Sequence, residues 1–356
     1  MKRAAFYLLY LVVSVSACTL VIEAGARAVM HFLYGSPGKS YGLWISDSEL
    51  GATHRPNGYN TLTTLNDYGF RNKEDVVEPK PPGSLRIIAF GGSTTFGYNL
   101  RDGETYTERL EALLRRDPDY AGTQVLNAGR ITYSSAQNLI LMKRLVPRLK
   151  PDYALLYEGV NEILNAWALE ADGRSLDDLK SQYGVIGKSY DYNRWLKRNS
   201  LIVRFVDYVV KTRHLEPEGT ERATKGCGDV ADSTDVHVHP WIIENYRHLL
   251  RQMIEFLRVH HVTVIVFRYP SVCSEKQRLF SDLSASIAEE EGSRVCDLQA
   301  RFDQLGGRKA DLFIQTGVHV TAEGAELIAE EVARTIRGLE EKTGRKPPSQ
   351  PTPATQ

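Results

Sequence analysis

The sequence lacks an excess of charge of either sign, because 44 lysine and arginine residues are balanced by 44 aspartate and glutamate residues. It also lacks a stripe of basic residues interleaved with aromatic side chains, the usual mark of a surface that binds nucleic acid. We therefore expect no nucleic-acid partner, and a small molecule or a polymer as substrate. With 356 residues, 42% hydrophobic and 25% charged, the chain is long enough for one large α/β domain with additions.

Cysteine is scarce, with four residues and no C-x-x-C pair, which leaves a zinc site of that type unsupported. Outside a reducing cytoplasm, the three cysteines that follow Cys18 permit one disulfide. We expect it between Cys227 and Cys273, which lie in predicted loops. Cys296 follows an apolar residue in a predicted strand and is expected in the core.

Two histidines alternate in the sequence D-V-H-V-H-P, namely His237 and His239. They could bind a metal ion, but two histidines without a third ligand are more typical of an exposed strand face. We therefore predict neither a metal nor a cofactor.

The long hydrophobic run lies at the amino terminus, where Lys2 and Arg3 precede the nineteen uncharged residues 4–22. This length suffices to span a bilayer, and positive charge before the span favours a cytoplasmic amino terminus. Residues 1–34 are thus predicted to form an uncleaved single-pass anchor in the inner membrane, with the rest of the chain in the periplasm or outside. Two alternatives stay open: cleavage after Ala17, giving a secreted form, and a lipoprotein, because V-S-A-C ending at Cys18 resembles a lipoprotein signal.

Residues 35–84 are rich in glycine, proline, asparagine and threonine and predict an extended arm laid over a domain. From residue 85 onward, apolar strands alternate with amphipathic helices. The predicted strands cover residues 85–90, 123–126, 153–157, 262–267 and 294–298, and the predicted helices 104–116, 134–146, 241–259, 274–291 and 322–340. Pro147 is expected to end the second of these helices. Five strands separated by helices predict a doubly wound, flavodoxin-like parallel sheet over residues 85–341.

The alternation lapses over about residues 165–240, which predicts a helical insertion with an amphipathic helix near 192–210 and a polar stretch at 216–235. The insertion is either a cap over a site or a surface decoration. Residues 342–356 are polar and proline-rich and are predicted to be disordered.

The sequence LRIIAFGGSTTFG, residues 85–97, joins a buried-strand pattern to two glycines that permit a sharp turn, followed by Ser93. A serine at the start of a helix lies beside free backbone N–H groups, which suits a nucleophile, although an ordinary N-cap serine has the same position. Tyr98 and Asn99 stand where a phosphate-binding loop needs lysine and serine or threonine, which excludes that motif. Thr95 occupies the second glycine position of a G-x-S-x-G elbow, which excludes that one.

Three further blocks carry polar residues at the expected edge of the sheet: L-N-A-G with Gly129, Y-E-G-V-N-E with Asn161, and V-H-V-T-A-E-G with His319. Because the carboxyl ends of parallel strands share one edge, these residues are expected near Ser93. In this order and on these elements, the four blocks resemble the SGNH (GDSL-type) hydrolase family. The amino-terminal segment, the D-S-E-L-G and N-D-Y-G-F-R pieces and the GGS form of the first block resemble a membrane-anchored bacterial branch of it.

The resemblance implies that Ser93 attacks an ester carbonyl while His319 takes the serine proton and returns it to the leaving alcohol. It also implies an oxyanion hole formed by the N–H groups of Ser93 and Gly129 and the side-chain amide of Asn161. Taken singly, each residue has an ordinary structural explanation: Gly129 fits a turn, Asn161 a helix cap and His319 a surface position.

The sequence departs from the family at Thr316, where an aspartate usually stands three residues before the histidine and orients it. Thr316 itself or a backbone carbonyl is one candidate acceptor for the imidazole N–H. Glu158 and Glu162 are candidates to supply a charge, and Glu162 also replaces the aspartate that commonly follows the asparagine. Removing the acidic member of a triad lowers turnover roughly ten-thousandfold, so an unassisted dyad would be slow.

These features together predict a cell-envelope carboxylic-ester hydrolase or O-acyl (acetyl) transferase that acts on an acylated glycan or another small-acyl ester. Hydrolysis and transfer share an acyl-enzyme and differ only in whether water or another alcohol attacks it. The missing aspartate leaves a rival hypothesis, a catalytically silent envelope scaffold or binding protein that keeps the fold. No oligomeric state follows from the sequence.

Overall fold

The computed structural model describes residues 2–34, 40–162, 200, 202, 238–272, 274–314 and 317–343. Most of the predicted insertion and the tail from residue 344 lie outside these residues. So do Thr316, His237 and both members of the predicted disulfide, Cys227 and Cys273. Cys296 is a free, buried cysteine, which confirms its predicted place in the core.

The amino terminus forms one long helix, α1, over Lys2–Tyr34. Its segment Phe6–Val29, 24 residues, is long and apolar enough to cross a membrane, and it is exposed in the structure. Such a helix is compatible with an anchor and equally with a signal sequence. Towards its carboxyl end, Glu23 accepts hydrogen bonds from Ser200 Oγ (2.8 Å) and Ile202 N (3.1 Å), so α1 contacts residues within the predicted insertion.

The arm contains four short strands that pair among themselves. They are β1 Ser40–Tyr41, β2 Trp44–Asp47, β3 Gly51–His54 and β4 Gly58–Tyr59. β1 pairs in parallel with β4, and β2 pairs antiparallel with β3.

A five-stranded parallel sheet forms the centre of the domain, as predicted. Its strands are β5 Arg86–Gly91, β6 Gln124–Asn127, β7 Tyr153–Tyr157, β8 Thr263–Arg268 and β9 Arg294–Asp297. They lie side by side in the order β6-β5-β7-β8-β9, with Ile88 of β5 opposite both Leu126 and Ala154. Every residue of β5 and β7 is buried, as expected for strands that are almost entirely apolar; the exception is Arg86, the first residue of β5. The strand order reverses between β5 and β7, and ligands of such sheets bind beyond the carboxyl ends of the strands at that point.

The helices of the domain form two groups. They are α2 Ser93–Phe96, α3 Tyr106–Arg115, α4 Ser135–Leu149, α5 Pro240–Val259, α6 Glu275–Glu290, α7 Leu298–Asp303 and α8 Ala322–Thr343. α3 packs against α8, whereas α4, α5 and α6 pack in a row. A two-stranded antiparallel hairpin, β10 Phe313–Ile314 and β11 His319–Val320, precedes α8.

Local capping sets several of the helix starts. Thr105 begins α3 through a capping box with Glu108, which explains why the helix starts just after the predicted residue 104. The predicted end of α4 at Pro147 is wrong, because the helix continues to Leu149. Pro147 is exposed in the last turn, where it removes one N–H donor without ending the helix, and Lys150, with φ 47°, ends it.

Candidate active site

The turn that carries Ser93 lies at the carboxyl end of β5. Gly92 leads into α2, and Ser93 is the first residue of that helix and is partly exposed. The Phe96 N–H donates to Gly92 O (3.0 Å) and the Gly97 N–H to Ser93 O (2.9 Å), which closes the single turn. Within the described part of the chain the Ser93 N–H has no hydrogen-bond partner, as is usual for the first residue of a helix.

His319 reaches the serine from the far end of the chain. It lies in β11, opposite Ile314 of β10, and its Nε2 is 2.9 Å from Ser93 Oγ across 226 residues of sequence. At this distance a neutral imidazole accepts a hydrogen bond from the serine hydroxyl. The structure thus brings together the two residues predicted to be nucleophile and base.

The surroundings of the imidazole keep it neutral. Burial lowers the pKa of His319 from its ordinary 6.5 to about 4. Nδ1 is buried and has no hydrogen-bond partner among the residues that the structure describes. The ring of Tyr98 packs on the imidazole with a centroid distance of 5.0 Å and an interplanar angle of 45°. Among the described residues, the His319 ring is therefore held by its hydrogen bond with the Ser93 hydroxyl and by the ring of Tyr98.

The side chain of Asn161 lies directly beside the turn that carries Ser93. A Cβ placed on Gly92 would be 2.3 Å from Asn161 Nδ2, so only glycine leaves room for this amide. Asn161 Nδ2 donates one proton to Tyr133 O at 2.6 Å. Its second N–H proton remains available, as an oxyanion donor requires.

Gly129 packs against the backbone of α2. A Cβ there would lie 2.4 Å from Phe96 N and 2.8 Å from Thr95 C, so the close approach requires glycine. Its N–H, expected in the oxyanion hole, instead donates to the side chain of Asn127 (N–H to Oδ1, 3.1 Å). Among the residues that the structure describes, the Ser93 N–H and one proton of the Asn161 amide therefore have no partner, whereas the Gly129 N–H is engaged.

Residues 89–327 match the sequence model of the GDSL-like lipase/acylhydrolase family. The chain belongs to this family. The match covers more than half of the chain and includes all four predicted blocks, and it identifies the protein as a serine esterase that acts on ester bonds. No curated protein sequence matches the chain.

Three solved structures illustrate the similarity to other esterases. The psychrotrophic esterase EstA from Pseudoalteromonas sp. shares 12% identity over 72% of this chain and 100% of its own, with a TM-score of 0.44. The lipase/acylhydrolase from Enterococcus faecalis shares 15% identity over 72% and 96%, also at 0.44. Axe2, an acetylxylan esterase from Geobacillus stearothermophilus, shares 16% identity over 72% and 96%, with the same TM-score.

The carboxylates of Glu158 and Glu162, the two candidate partners of the histidine, lie beside the first residues of α4. Glu158 Oε2 accepts hydrogen bonds from Ser135 Oγ and Asn138 Nδ2, both 3.1 Å, and Glu162 Oε1 accepts from the Ser135 N–H (2.8 Å). Burial, reinforced by the neighbouring Glu162, raises the pKa of Glu158 to about 8, and burial also raises that of Glu162. In the described structure neither carboxylate contacts His319, because the chain after β7 turns towards α4 rather than towards the β10–β11 hairpin.

Three residues at the site were not singled out from the sequence. Tyr98 contacts His319, Asn127 holds Gly129, and Arg71 of the arm binds the end of α2. Asn127 lies in the L-N-A-G block and Arg71 in the N-D-Y-G-F-R piece, and these positions were the sequence features that could have pointed to a role at the site. His239, considered as a metal ligand, accepts the Trp241 N–H at Nδ1 (3.2 Å) and caps α5.

Proposed function

We propose that this GDSL-like family member is a cell-envelope carboxylic-ester hydrolase that forms an acyl-enzyme on Ser93 with His319 as its base. The observation that carries the proposal is the 2.9 Å contact between Ser93 Oγ and His319 Nε2, two residues that lie within the part of the chain that matches the family. Nucleophile and base within hydrogen-bond reach are the signature of nucleophilic ester cleavage.

The first half of the reaction uses the neutral imidazole. Because the pKa of His319 is about 4, its Nε2 is unprotonated at neutral pH and can take the Ser93 proton as Oγ attacks the ester carbonyl. The Ser93 N–H and the free proton of Asn161 Nδ2 face the developing oxyanion. Each such donor contributes about 3 to 4 kcal/mol of transition-state stabilisation.

The second half reverses the proton transfers. His319 gives its proton to the leaving alcohol as the original C–O ester bond breaks, which leaves the acyl group on Ser93. A water molecule then attacks the acyl carbon, His319 takes its proton, and the carboxylic acid departs as Ser93 regains its hydrogen. If a sugar hydroxyl replaces water in this step, the same atoms perform O-acyl transfer.

The amino-terminal helix supports an envelope location. Lys2 and Arg3 precede an exposed apolar segment, Phe6–Val29, and positive charge before a span favours a cytoplasmic amino terminus with the domain on the other side. We therefore propose an inner-membrane anchor and a small-acyl ester substrate carried by an envelope glycan. A cleaved signal sequence or a lipoprotein would give a shorter mature chain, which intact-mass measurement distinguishes.

A silent scaffold is the second candidate, and one observation favours it. His319 Nδ1 has no acceptor among the described residues, and the family's aspartate is Thr316. A dyad without an acidic partner loses much of its turnover.

Labelling with a fluorophosphonate and turnover of p-nitrophenyl acetate separate the two candidates. The full chain in detergent should label, and labelling should vanish in Ser93→Ala. His319→Ala should lose most of its ester cleavage with an unchanged circular dichroism spectrum. Ser84→Ala is the matched control, because the Ser84 hydroxyl donates to Pro81 O, away from the site, and should label normally. A wild-type protein that neither labels nor turns over ester across neutral pH is the scaffold.

A further inference from the structure

We propose that Arg71 of the arm is a positioning residue, which holds the Ser93 turn and Tyr98 in place against His319. The arm is then a component of the active site. This inference rests on the Ser93–His319 mechanism proposed above and adds a residue outside the four family blocks.

The guanidinium of Arg71 binds three backbone carbonyls at the end of the nucleophile turn. Nη1 donates to Phe96 O (2.9 Å) and to Gly97 O, and Nη2 donates to Leu100 O. The last carbonyls of a helix have no partner within the helix, and Phe96 O is one of these. Gly97 O also accepts the Leu100 N–H (3.1 Å), so Arg71 adds a second donor there and binds Leu100 O beyond the helix. The guanidinium carbon also lies 4.7 Å from the Phe96 ring centroid, in cation–π range. Arg71 is only 1% exposed, so solvent cannot replace these contacts.

The turn that Arg71 binds is short and changes backbone direction sharply. α2 has only four residues, and Gly97 (φ 79°) and Asn99 (φ 65°) both adopt the left-handed conformation. Tyr98 lies between them and packs on His319. The carbonyls of Gly97 and Leu100 flank Tyr98, so one guanidinium fixes both ends of the segment that contacts the imidazole.

The backbone around Arg71 is fixed to the sheet. The Arg71 N–H donates to Asn127 O (3.1 Å), which continues the edge of β6. The next residue, Asn72, donates from Nδ2 to Val125 O (2.8 Å) and accepts the Asn127 N–H at Oδ1 (2.9 Å). Arg71 therefore extends from a rigid point, which is what positioning of a nucleophile requires.

A second contact joins the arm to the same loop. Asp102 Oδ1 accepts the Thr64 N–H (3.1 Å), and the Asp102 N–H donates to Leu62 O (3.1 Å). Burial lowers the pKa of the Arg71 guanidinium, and the negative charges of Asp102, Glu108 and Glu104 partly oppose this. The loop that follows α2 is thus held by the arm at two places.

Arg86 provides a matched comparison within the same domain. Its buried guanidinium binds Leu149 O (2.8 Å), Val77 O (2.6 Å) and Gln124 Oε1 (2.8 Å). Arg86 begins β5 and therefore lies at the amino end of the sheet, away from the site. It has the same chemistry and burial as Arg71 but no contact with α2.

The experiment compares Arg71→Met, Arg71→Lys and Arg86→Met in the full chain, by kcat and KM for p-nitrophenyl acetate and by melting temperature. We expect both methionine variants to melt earlier, because each leaves buried carbonyls unpaired. Arg71→Met should lower kcat roughly 10- to 100-fold with KM changed less than about threefold, whereas Arg86→Met should retain kcat within about threefold. Arg71→Lys, which keeps the charge, should lie between wild type and Arg71→Met. A folded Arg71→Met enzyme with wild-type kcat, or equal kcat losses in both methionine variants, overturns the proposal.

Hydrogen–deuterium exchange of the wild-type chain tests the coupling when Arg71 variants do not fold. Peptides spanning residues 66–72 and 93–100 should exchange at rates within about tenfold of each other, as one cooperative unit. Arm peptides that exchange more than about a hundredfold faster than the nucleophile turn overturn the proposal. If wild type fails to label with fluorophosphonate, the proposed function is wrong, and exchange still decides whether the arm holds the turn.

Discussion

Replacing Thr316 by aspartate should convert the Ser93–His319 pair into the complete triad that the family usually has. Burial lowers the pKa of His319 from 6.5 to about 4, which at about 1.4 kcal/mol per pKa unit disfavours the imidazolium by about 3 kcal/mol. The imidazolium forms in the transition state, so this free energy adds to the barrier. Because the ring is partly exposed, we expect a carboxylate to recover about 2 kcal/mol, which corresponds to roughly a 30-fold gain in kcat.

The pH profile gives the test its direction. The base is the neutral imidazole, so the rate rises as pH increases through the pKa of His319 and is level above it. A carboxylate partner raises that pKa, so in Thr316→Asp the acid limb of kcat/KM should move upward from near pH 4 while the plateau rises. Thr316→Asn, which has nearly the same shape without the charge, is the control and should do neither. Unchanged rates and limb in Thr316→Asp, or an equal gain in Thr316→Asn, would refute the reasoning.

Three further predictions follow from the contacts at the site. Asn161→Ala should lower kcat by roughly 10²- to 10³-fold with little change in KM, because the amide faces charge only in the transition state; steady-state kinetics that show mainly a KM effect would contradict this. Glu158→Gln should raise the free energy of unfolding by about 1 to 3 kcal/mol at pH 8 and much less at pH 5, measured by urea denaturation. The sign follows because the pKa of Glu158 is about 8 in the folded state and near 4.5 in the unfolded state, so the wild-type protein loses stability as pH rises from 4.5 to 8. Equal stabilisation by Glu158→Gln at both pH values would show that the ionisation of Glu158 is not the cause. Tyr98→Ala should expose His319 and raise its pKa, so that the acid limb of kcat/KM moves to higher pH and kcat falls, while Tyr98→Phe should match wild type. A wild-type pH profile for Tyr98→Ala would mean that the Tyr98 ring does not affect the imidazole.

The central sheet could be predicted from the sequence because its signals are local. Each of the five strands is a short apolar run followed by a helix signal, and the observed bounds agree with the predicted ones to within about one residue. The end of α4 could not be placed in the same way. Whether Pro147 breaks a helix depends on which face it occupies, and that is set by packing between α4 and its neighbours.

In the candidate site, too, one part could be predicted from the sequence and another part depends on packing. The order of the four blocks predicted that Ser93 and His319 meet, and they do. Ser93 follows a strand of the parallel sheet, whereas His319 reaches it from the separate β10–β11 hairpin, which the sequence did not predict. The engagement of the Gly129 N–H by Asn127 depends on a rotamer at the end of β6, which no local pattern specifies. Glu158 and Glu162 were candidates to supply a charge to the imidazole because they follow β7, but their carboxylates bind Ser135 and Asn138 at the start of α4.

The distance in sequence between Ser93 and His319 has a consequence for how the enzyme is made. Synthesis on the ribosome delivers the apolar helix first and the imidazole more than two hundred residues later. Under the proposed export, the nascent polypeptide therefore enters the translocation machinery before its reactive pair can exist. Esters of the cytosol would then never meet a finished catalyst, and the compartment of action would be fixed by the timing of translation as well as by the address at the amino terminus.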